Sequence, residues 1–571
     1  MTIDVDNPGR HAAEARRYRM LRWLRRISQG LFLALFVLLL LFTNIDALDA
    51  PDELPRISAP VVLFLEMDPL VAIGTVLSTH SLYRDLLLSL IIIVGTLFLG
   101  RFFCGWMCPM GTINHMIAAL RGGRMKGRAR LEANRYRPAQ RWKYIVLVLF
   151  LAAAAMGSLQ VGLLDPIALL TRSLALLLLP AWNVLTQDMY AWSMHTQSAV
   201  PDFIVTPVSW ALHAVLIRAQ VVLFENTGLV LLVFLGILAA NRYVTRFWCR
   251  MLCPLGALLG VLSKTSILGL EKRPSLCSNC NRCALHCQGG DNPEPGMDWH
   301  QAECHLCMNC VASCPDAGIA FRFFPSRKES TQVVNLTRRT VLLSAGAGIA
   351  AVPLLRTSVH PDAPPNPALV RPPGSVPERD FLSRCIRCGE CMNVCPNNAL
   401  HPTLLQAGAE GIWSPMLIPR IGYCEPTCVL CSQVCPTGAI DEITEKEKGW
   451  VPQVDGGSTE NPLRIGTAFY DHGRCLPWSM AKECIVCEEW CPTTPKAIYF
   501  ESVEVTDREG NYLWLKRPHV DPALCVGCGA CTYACPVKGE PAIYITAVGE
   551  TRNTQNRILL EKTAGSKQGG G

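Results

Sequence analysis

Four long apolar stretches dominate the first half of the chain, at roughly 29–48, 86–103, 143–164 and 227–247. A helix needs about 20 apolar residues to cross the hydrocarbon core of a bilayer. Each stretch approaches that length and is bordered by arginines, so a membrane domain is favoured over the buried core of a large soluble protein. The pattern predicts four transmembrane helices.

Basic residues cluster beside these stretches. Seven Lys or Arg precede residue 28, and nine lie between Arg121 and Lys143. By the positive-inside rule, the N-terminus, the loop 104–142 and the segment 248–338 are expected in the cytoplasm. The connections 49–85 and 165–226 carry two Lys or Arg each and are expected on the other side. Both are partly apolar (61–65, 174–179), so they are expected to lie in the interface or re-enter the membrane.

An internal repeat follows two of the apolar stretches. Arg101-Phe-Phe-Cys-Gly-Trp-Met-Cys-Pro-Met-Gly111 matches Arg246-Phe-Trp-Cys-Arg-Met-Leu-Cys-Pro-Leu-Gly256. Each copy lies at the cytoplasmic end of its predicted span. The repeat therefore predicts a membrane domain made of two related helix pairs.

A fifth apolar segment, 340–355, begins after Arg338 and Arg339. Twin arginines before a modest apolar stretch are typical of a Tat export signal, although the same pattern fits an anchor whose arginines only set orientation. Both interpretations place residues 357–571 in the periplasm. A proline-rich linker, 357–380, is expected to be extended, and the Gly-rich tail, 551–571, is expected to be disordered.

Cysteine is the residue type that indicates the chemistry. Twenty-four of the 28 cysteines form six groups of four, and the other four form two C-x-x-x-C-P pairs. A disulfide framework is a poor explanation, because disulfide-dense proteins are short and lack membrane spans. The pairs are Cys104/Cys108 and Cys249/Cys253.

The first two groups keep the spacing of bacterial two-cluster ferredoxins. In such proteins the first three cysteines of a run hold one [4Fe–4S] cluster and the fourth reaches the neighbouring cluster. One predicted cluster is therefore held by Cys277, Cys280, Cys283 and Cys314, and the other by Cys304, Cys307, Cys310 and Cys287. Zinc also favours C-x-x-C pairs, but six runs of three plus one are atypical of zinc sites.

Four more runs follow in the second half. Two have the standard spacing and two have a lengthened first gap, which alters only the approach of the first ligand. Their members are Cys385, Cys388, Cys391, Cys395; Cys424, Cys428, Cys431, Cys435; Cys475, Cys484, Cys487, Cys491; and Cys525, Cys528, Cys531, Cys535. The chain thus predicts six [4Fe–4S] clusters.

The predicted fold class is an α-helical membrane domain, with four spans and a fifth anchor helix, carrying α+β ferredoxin-like [4Fe–4S] domains on both sides of the membrane. The expected organisation is a basic N-terminus (1–28), the membrane domain (29–265), a cytoplasmic two-cluster ferredoxin (266–334), an anchor helix (335–356), a linker (357–380), a periplasmic four-cluster ferredoxin (381–550) and a tail (551–571).

Several function classes are disfavoured. We find no C-x-x-C-H haem site, no Walker A loop and no dinucleotide fingerprint after a strand. The net charge of +7 reflects membrane topology and does not indicate nucleic-acid binding. Electron transfer through the clusters is the chemistry that this leaves.

The two halves resemble two known families. The first, with its spans, C-x-x-x-C-P motifs and ferredoxin tail, resembles NapH-type membrane ferredoxins. The second, with its Tat-like start and four cluster motifs, resembles NapG/MauM polyferredoxins. The resemblance implies a natural fusion in the bacterial inner membrane. It also implies oxidation of quinol and delivery of electrons to a periplasmic c-type cytochrome or reductase subunit.

The second half also resembles the four-motif ferredoxin subunits of molybdoenzymes, which implies outer-with-outer and inner-with-inner pairing of runs. The implied ligand sets are Cys385, Cys388, Cys391, Cys535; Cys525, Cys528, Cys531, Cys395; Cys424, Cys428, Cys431, Cys491; and Cys475, Cys484, Cys487, Cys435. Sequential pairing, with Cys395 beside the 424–431 group, is the alternative.

The C-x-x-x-C-P cysteines need a role of their own. A redox relay between the two sides is favoured, as an additional metal cluster or a redox dithiol, because both copies keep the cysteines while their neighbours differ. The alternatives are that they flank a quinone pocket or pack as small apolar residues. His115 and His80 are candidates for handling a quinol proton, although interfacial histidines are usually just polar residues.

Two other functions compete with quinol oxidation. One is reductive maturation of a periplasmic metalloenzyme, and the other is export of electrons from a cytoplasmic donor.

Overall fold

The computed structural model describes residues 8–45, 61–122, 127–195, 223–316, 318–325, 336–356, 366–450, 461–506 and 509–556. The predicted connections 49–85 and 165–226 and the linker 357–380 fall partly outside these ranges, and so does most of the predicted tail. Everything below concerns the described residues.

The chain divides into two compact units. We call residues 1–46, 57–355 and 382–393 the membrane unit, and residues 47–56, 356–381 and 394–571 the second unit. The short segment 382–393, which carries Cys385, Cys388 and Cys391, therefore belongs with the helices of the first half. The predicted boundary at residue 381 does not anticipate this.

Helices make up most of the membrane unit. In chain order they are α1 Pro8–Ile45, α2 Leu63–Glu66, α3 Pro69–Thr79, α4 Ser89–Leu99, α5 Phe102–Trp106, α6 Pro109–Gly122, α7 Gly127–Asn134, α8 Trp142–Ala155, α9 Pro166–Ser173, α10 Leu179–His195, α11 Gly228–Ala240, α12 Phe247–Met251, α13 Pro254–Leu262, α14 Arg282–His286, α15 Asn309–Ser313 and α16 Arg338–Arg356.

Three helical segments in the described residues are long and apolar enough to cross a membrane: 16–43, 166–188 and 338–356. The first and third match the predicted stretches 29–48 and 340–355. The second corrects the expectation for the connection 165–226, because α9 and α10 join through a π-helical turn, Leu174–Leu178, into one continuous segment. Three shorter apolar helical segments are 69–79, 85–99 and 228–240.

The predicted span 143–164 is interrupted. Helix α8 ends at Ala155, and Gly157 takes a left-handed conformation with φ of 76°. A new helix then begins at Asp165-Pro166. Proline suits the first position of a helix but blocks continuation of a preceding one, so the helix of the predicted span ends at Ala155 and α9 begins beyond residue 164.

The internal repeat extends beyond the cysteine motifs. Asp68-Pro69 starts α3 and Asp165-Pro166 starts α9, and each aspartate caps its helix. Asp68 Oδ1 accepts from the backbone N–H of Leu70 at 2.7 Å, and Asp165 Oδ2 accepts from Ile167 at 2.9 Å. These caps satisfy backbone donors that would otherwise be buried without a partner.

The twin-arginine helix α16 packs inside the membrane unit. Ser344, Gly348 and Val352 are its buried face, spaced four residues apart. A Cβ at Gly348 would lie 2.3 Å from the carbonyl oxygen of Leu149 on α8. Small residues allow such close approach between membrane helices, so Gly348 lets α16 pack directly on α8.

The first ferredoxin module is built on a two-stranded antiparallel sheet, β1 Leu268–Lys272 with β2 Ile319–Phe323. Helices α14 and α15 lie between the strands in sequence and follow the two cysteine loops. Trp299, Leu306, Val311 and Phe321 form its apolar core. The sheet closes the segment 268–323 into one compact module.

The remaining elements surround the later cysteine runs. They are α17 Glu378–Arg384, α18 Glu390–Asn393, β3 Leu400–Pro402, β4 Pro415–Leu417, α19 Leu430–Gln433, α20 Glu445–Lys448, β5 Thr467–Tyr470, α21 Leu476–Ser479, α22 Val486–Glu489, β6 Ile498–Thr506, β7 Tyr512–Val520, α23 Ala530–Ala534 and β8 Ile543–Thr546. The antiparallel pairs are β3 with β4, β5 with β8, and β6 with β7.

Two predicted boundaries need correction. The C-terminal part of the linker is folded, since Val370 is buried and its carbonyl accepts from the N–H of Leu417 at 2.8 Å. The first residues of the predicted tail are also ordered, since Thr551 N–H donates to Arg464 at 2.9 Å. Composition alone did not show that these proline- and glycine-rich segments pair with neighbouring backbone.

Candidate functional site: the cysteine loops and the C-x-x-x-C-P motifs

Two cysteine groups come together in the first ferredoxin module, as predicted. Cys277, Cys280, Cys283 and Cys314 line a cavity of about 30 Å³. In the other group, Cys307 lies close enough to Cys304, Cys310 and Cys287 to interact with each of them electrostatically. The fourth cysteine of each run therefore lies with the first three cysteines of the other run.

The loops with standard spacing share an unusual backbone. In all four, the residues just before and just after the second cysteine have positive φ. These residues are Asn279 and Asn281, Leu306 and Met308, Arg387 and Gly389, and Gly527 and Gly529. Left-handed conformations are costly for residues such as leucine and arginine, so the loop is held in a shape that turns three thiols toward one centre.

Backbone N–H groups are directed at the sulfurs. Ala399 donates to Cys395 Sγ at 3.3 Å, and Ile440 donates to Cys435 Sγ at 3.4 Å. Ala468 donates to Cys525 Sγ and Ala542 to Cys535 Sγ, both at 3.4 Å. Hydrogen bonds to sulfur help to set the potential of an iron–sulfur cluster, so the donor set fits that cofactor.

The pairing implied for the second half is wrong in this structure. The charge of Cys395 acts on Cys428 and Cys431, and the charge of Cys424 acts on Cys395. Cys395 thus lies beside the 424–431 group, which is the sequential alternative.

The later runs follow the same sequential order. Cys491 lines a cavity of about 20 Å³ with Cys525, Cys528 and Cys531, and the charge of Cys535 acts on Cys475 and Cys487. Strands β5 and β8 pair around the 475–535 segment and close it locally. A module closed by its own strands exchanges its fourth cysteines internally.

Two polar side chains that the sequence did not single out contact cysteine sulfur in the second unit. Lys448 is fully buried, and its Nζ donates to Cys424 Sγ at 3.5 Å and to Glu425 O at 2.6 Å. Tyr470 hydroxyl lies 3.0 Å from Cys487 Sγ. Neither residue belongs to a recognisable motif, so only the fold reveals them.

In the membrane unit, the loop after Glu303 packs on the first C-x-x-x-C-P motif. Trp106 Nε1 donates to Leu306 O at 3.1 Å, and Arg101 Nη1 donates to Ala302 O at 2.7 Å. A Cβ at Gly105 would lie 2.0 Å from His305 O. Glycine between Cys104 and Cys108 is therefore required for this contact.

Glu303 fixes that contact through buried charge. Its carboxylate pairs with Lys143 at the start of α8, accepts from Tyr144 hydroxyl at 2.8 Å and lies 3.8 Å from Arg101. Burial raises the pKa of Glu303, but Lys143 and Arg101 outweigh it, and the pKa ends below its ordinary value. Glu303 is therefore ionised and holds two cations.

The loop containing Cys385 and Cys388 packs on the other end of the same helices. Arg172 Nη1 on α9 donates to Arg387 O at 2.7 Å, and Ser78 Oγ on α3 donates to Ser383 O at 2.7 Å. Arg387 in turn donates to Leu159 O. A Cβ at Gly162 would lie 1.9 Å from Ile386 O, so a glycine again permits the contact.

The four C-x-x-x-C-P thiols lie near one another. Each is buried. Cys108 interacts electrostatically with Cys104 and Cys249. Cys253 interacts in the same way with all three of the other thiols. Gly111 N–H donates to Cys108 Sγ at 3.4 Å and Gly256 N–H to Cys253 Sγ at 3.2 Å, so the two copies have equivalent surroundings.

Among the described residues, no three His, Cys, Asp or Glu side chains converge as the ligands of a single metal ion would. The sulfurs of a multinuclear cluster are spread more widely than the ligands of one ion, because each sulfur binds a different iron.

A cavity of about 300 Å³ lies beside the first ferredoxin module. Arg22, Arg26 and Arg130 line it together with His115, Asn134 and Asn241, and with His286, Gln288 and Asn309. Gln288 and Asn309 directly neighbour Cys287 and Cys310 in sequence. The cavity is thus polar, cationic and next to a cysteine group.

The two candidate histidines differ in setting. His115 lines the cavity and lies 3.1 Å from Gln29 Oε1. Burial, with the charges of Arg246 and Arg25, lowers the pKa of His115 to about 2, so its imidazole is neutral at physiological pH. His80 is exposed at the end of α3 in a left-handed conformation with φ of 56°. The two histidines are not brought into one site.

Family models for iron–sulfur proteins match several segments. A 4Fe-4S binding domain matches 85–128, 227–273 and 429–452, and a second 4Fe-4S binding domain matches 381–401. A 4Fe-4S dicluster domain matches 480–538. The segments 85–128 and 227–273 contain the two C-x-x-x-C-P motifs. No solved structure matches the chain.

Curated relatives are ferredoxin-type proteins. Methylamine utilization ferredoxin-type protein MauM of Paracoccus denitrificans is 31% identical over 212 residues, which is 36% of this chain and 82% of the relative. Ferredoxin-type protein NapG of Escherichia coli is 33% identical over 211 residues, 36% of this chain and 82% of the relative. Putative electron transport protein YccM of Escherichia coli is 26% identical over 260 residues, 45% of this chain and 60% of the relative.

Cysteine loops shaped for iron–sulfur clusters, helices able to cross a membrane, and these two well-covered relatives agree with one another. This chain belongs to the NapG/MauM family of ferredoxin-type iron–sulfur electron-transfer proteins.

Proposed function

We propose that this protein oxidises quinol at the inner membrane and passes the electrons through [4Fe–4S] clusters to an acceptor in the periplasm, a c-type cytochrome or a reductase subunit. The NapH-like first half supplies the membrane part of this route. Residues 1–28 and 248–338 lie in the cytoplasm and residues 357–571 in the periplasm, as the basic flanks favour. The twin arginines of α16 serve export and the helix stays as an anchor.

One observation carries the proposal. Two cysteine loops pack at opposite ends of one set of helices, since Lys143 at the start of α8 contacts Glu303, and Leu159 just beyond its end contacts Arg387. Helix α8 has 14 residues and is therefore about 20 Å long. Two redox centres held at the ends of so short a helix are arranged for transfer across it.

The six clusters are held in sequential pairs. In addition to the two sets of the first module, three sets rest on the proximities above and on the exchange of the fourth cysteine between runs. They are Cys395, Cys424, Cys428, Cys431; Cys491, Cys525, Cys528, Cys531; and Cys475, Cys484, Cys487, Cys535. The sixth cluster takes Cys385, Cys388 and Cys391 from the membrane unit.

The 300 Å³ cavity is the proposed site for the quinol head group. Its asparagines can hydrogen-bond to a hydroxyl, and the neutral imidazole of His115 can accept from one. Nearby cations favour the charged form of an acid, so Arg22, Arg26 and Arg130 lower the pKa of a bound quinol hydroxyl.

The chemistry balances without a further co-reactant. Quinol gives up two electrons and two protons. A cluster held by the cysteine group of Cys287 and Cys310 would accept the electrons one at a time, and the protons would leave to water through the cavity. Iron in each cluster supplies the one-electron chemistry, while the chain positions the quinol and insulates the path.

The test uses the full chain in anaerobic membranes. A reduced quinol analogue is added and cluster reduction is followed by EPR. We expect reduction in the parent protein and at least tenfold slower reduction in Arg130→Gln. Arg128→Gln is the matched control, because Arg128 lies on the same short helix, is 92% exposed and pairs only with the exposed Glu132. Clusters that dithionite reduces but quinol does not would overturn the proposal.

A further inference from the structure

Buried arginines surround the C-x-x-x-C-P motifs. Arg25 and Arg246 have no exposed surface and Arg101 has 1%. Arg101 and Arg246 each begin one copy of the repeat. Their charges act on Cys249, and the charge of Cys104 acts on Arg101. The cations therefore surround the thiol group.

Several nitrogens of these cations lack a hydrogen-bond partner in the described part of the chain. None of the three guanidinium nitrogens of Arg246 has a hydrogen-bond partner, and neither do Nε and Nη2 of Arg25. Both ring nitrogens of the buried His305 are also unsatisfied. An isolated buried charge costs several kcal/mol or more unless it is paired, so an anion is required at this position.

The nearby carboxylate is already engaged. Glu303 holds Lys143 and lies 3.8 Å from Arg101. The charges of Arg101, Arg246 and Lys143 all act on Cys249. Positive charge around the four cysteines therefore exceeds what Glu303 balances.

The need for a negative charge separates the three roles considered for the cysteines, which are a redox dithiol, apolar packing and a metal cluster. A pair of thiols and a disulfide are both neutral and would leave Arg246 unpaired. The same holds for cysteines that pack only as small apolar residues. Four thiolates bound to iron form a centre with net negative charge, and iron–sulfur clusters take such ligands. The sulfur N–H bonds from Gly111 and Gly256 suit the same centre.

We infer that Cys104, Cys108, Cys249 and Cys253 together ligate a seventh iron–sulfur cluster, whose charge is balanced by Arg101 and Arg246. No other cysteine of the chain is needed. The two halves of the repeat each contribute two ligands, which explains why the motif occurs twice.

The position of this centre suits a relay, a role that rests on the proposed function. On one side, Gly105 and Trp106 contact His305 and Leu306 in the loop of a ferredoxin cluster. On the other side, the charge of Asp165 acts on Cys108. Helix α9 starts at Asp165, and its Arg172 binds the loop of Cys385 and Cys388. One electron enters and one leaves, and no bond in the protein changes.

Iron content is the first test. The full chain, purified anaerobically, should hold about 28 iron atoms, four for each of seven clusters, or about 26 if the additional centre has two irons. Cys104→Ser/Cys249→Ser should lose only that increment, and the EPR signals of the other six clusters should persist. A parent protein with about 24 iron atoms, or with one zinc per chain, would overturn the inference.

A second variant covers the case in which the cysteine variant fails to fold. Arg246→Gln removes positive charge beside one cluster, so the midpoint potential of a single cluster should fall while the other six stay unchanged. Arg246→Lys should restore part of the shift. Unchanged potentials in Arg246→Gln would contradict the inference. Seven clusters that quinol cannot reduce would overturn the proposed function and leave the seventh site intact.

Discussion

The membrane unit holds one cysteine loop at each end, and the two contacts are built alike in one respect. At one end a glycine of the helices, Gly105, faces the carbonyl of His305, and at the other Gly162 faces the carbonyl of Ile386. His305 and Ile386 each follow the first cysteine of their loop. The next residues, Leu306 and Arg387, are both left-handed. The loop of Cys304 and the loop of Cys385 therefore contact the helices through the same face.

The two ends differ in the groups that hold them. Glu303 binds its end through a buried carboxylate shared by Lys143 and Arg101. At the other end, the guanidiniums of Arg172 and Arg387 donate to backbone carbonyls. A buried ion pair is lost abruptly when one partner is removed, whereas bonds to backbone survive most substitutions around them. We conclude that the first end is the more vulnerable to single substitutions.

Replacing Glu303 should therefore have the largest effect. Glu303→Gln leaves Lys143 buried without its counter-charge, at a cost of about 3–5 kcal/mol. The free energy of unfolding in detergent and amide exchange in residues 304–310 measure it. Glu271→Gln is the control, because its pairs with Arg273 and Arg322 are partly exposed and should contribute less than about 1 kcal/mol. Similar losses in both variants would remove the distinction between the two ends.

The cysteine runs and their spacing were enough to predict the ferredoxin loops and the grouping in the first module. Spacing did not determine which runs exchange cysteines in the second half. Whatever its first gap, every run ends in the same C-x-x-C-x-x-x-C spacing. The answer depends on strand pairing, in particular on β5 with β8, whose partners are more than 70 residues apart.

Hydrophobicity found the apolar segments but not their ends. The break at Gly157 and Asp165 lies inside one continuous apolar run, where local chain geometry overrides the hydrophobic pattern. Glu303 and Arg246 were also beyond prediction. A charged residue next to a cysteine motif is ordinarily solvated, and only the packed structure shows that both side chains are buried.

Substitutions at Gly105 and Gly162 test the feature that the two ends share, which is a glycine packed against a loop carbonyl. Gly105→Ala and Gly162→Ala each place a methyl group against a backbone carbonyl, and overpacking of this kind costs about 1–3 kcal/mol. Amide exchange should rise in 304–310 for the first variant and in 385–391 for the second. Gly346→Ala on α16 is the control, since nothing lies within 4 Å of the added Cβ and a helical alanine is favoured over glycine. Exchange that rises in the wrong loop would show that the contacts are misassigned.

A partly buried carboxylate in the second unit sharpens the comparison by its dependence on pH. Glu378 accepts from Arg371 Nε at 3.1 Å and from Arg552 Nη1 at 2.8 Å. Burial raises the pKa of Glu378, but the two arginines outweigh it and lower the pKa to about 2, from an ordinary 4.5. Because the folded-state pKa is depressed, the stabilisation is present above pH 4.5 and is lost as the pH falls toward 2.

We expect Glu378→Gln to lower the free energy of unfolding at neutral pH, by on the order of 2 kcal/mol. The difference from the parent protein should shrink as the pH falls below 4.5, since protonation removes the same charge from the parent. Unfolding monitored by fluorescence from pH 7 to pH 3 measures this convergence. Glu442→Gln, at an exposed position of the same unit, should match the parent at every pH. A difference between Glu378→Gln and the parent that stays constant down to pH 3 would mean that the arginines hold Glu378 by shape and hydrogen bonding, and that charge is specific to the contact made by Glu303.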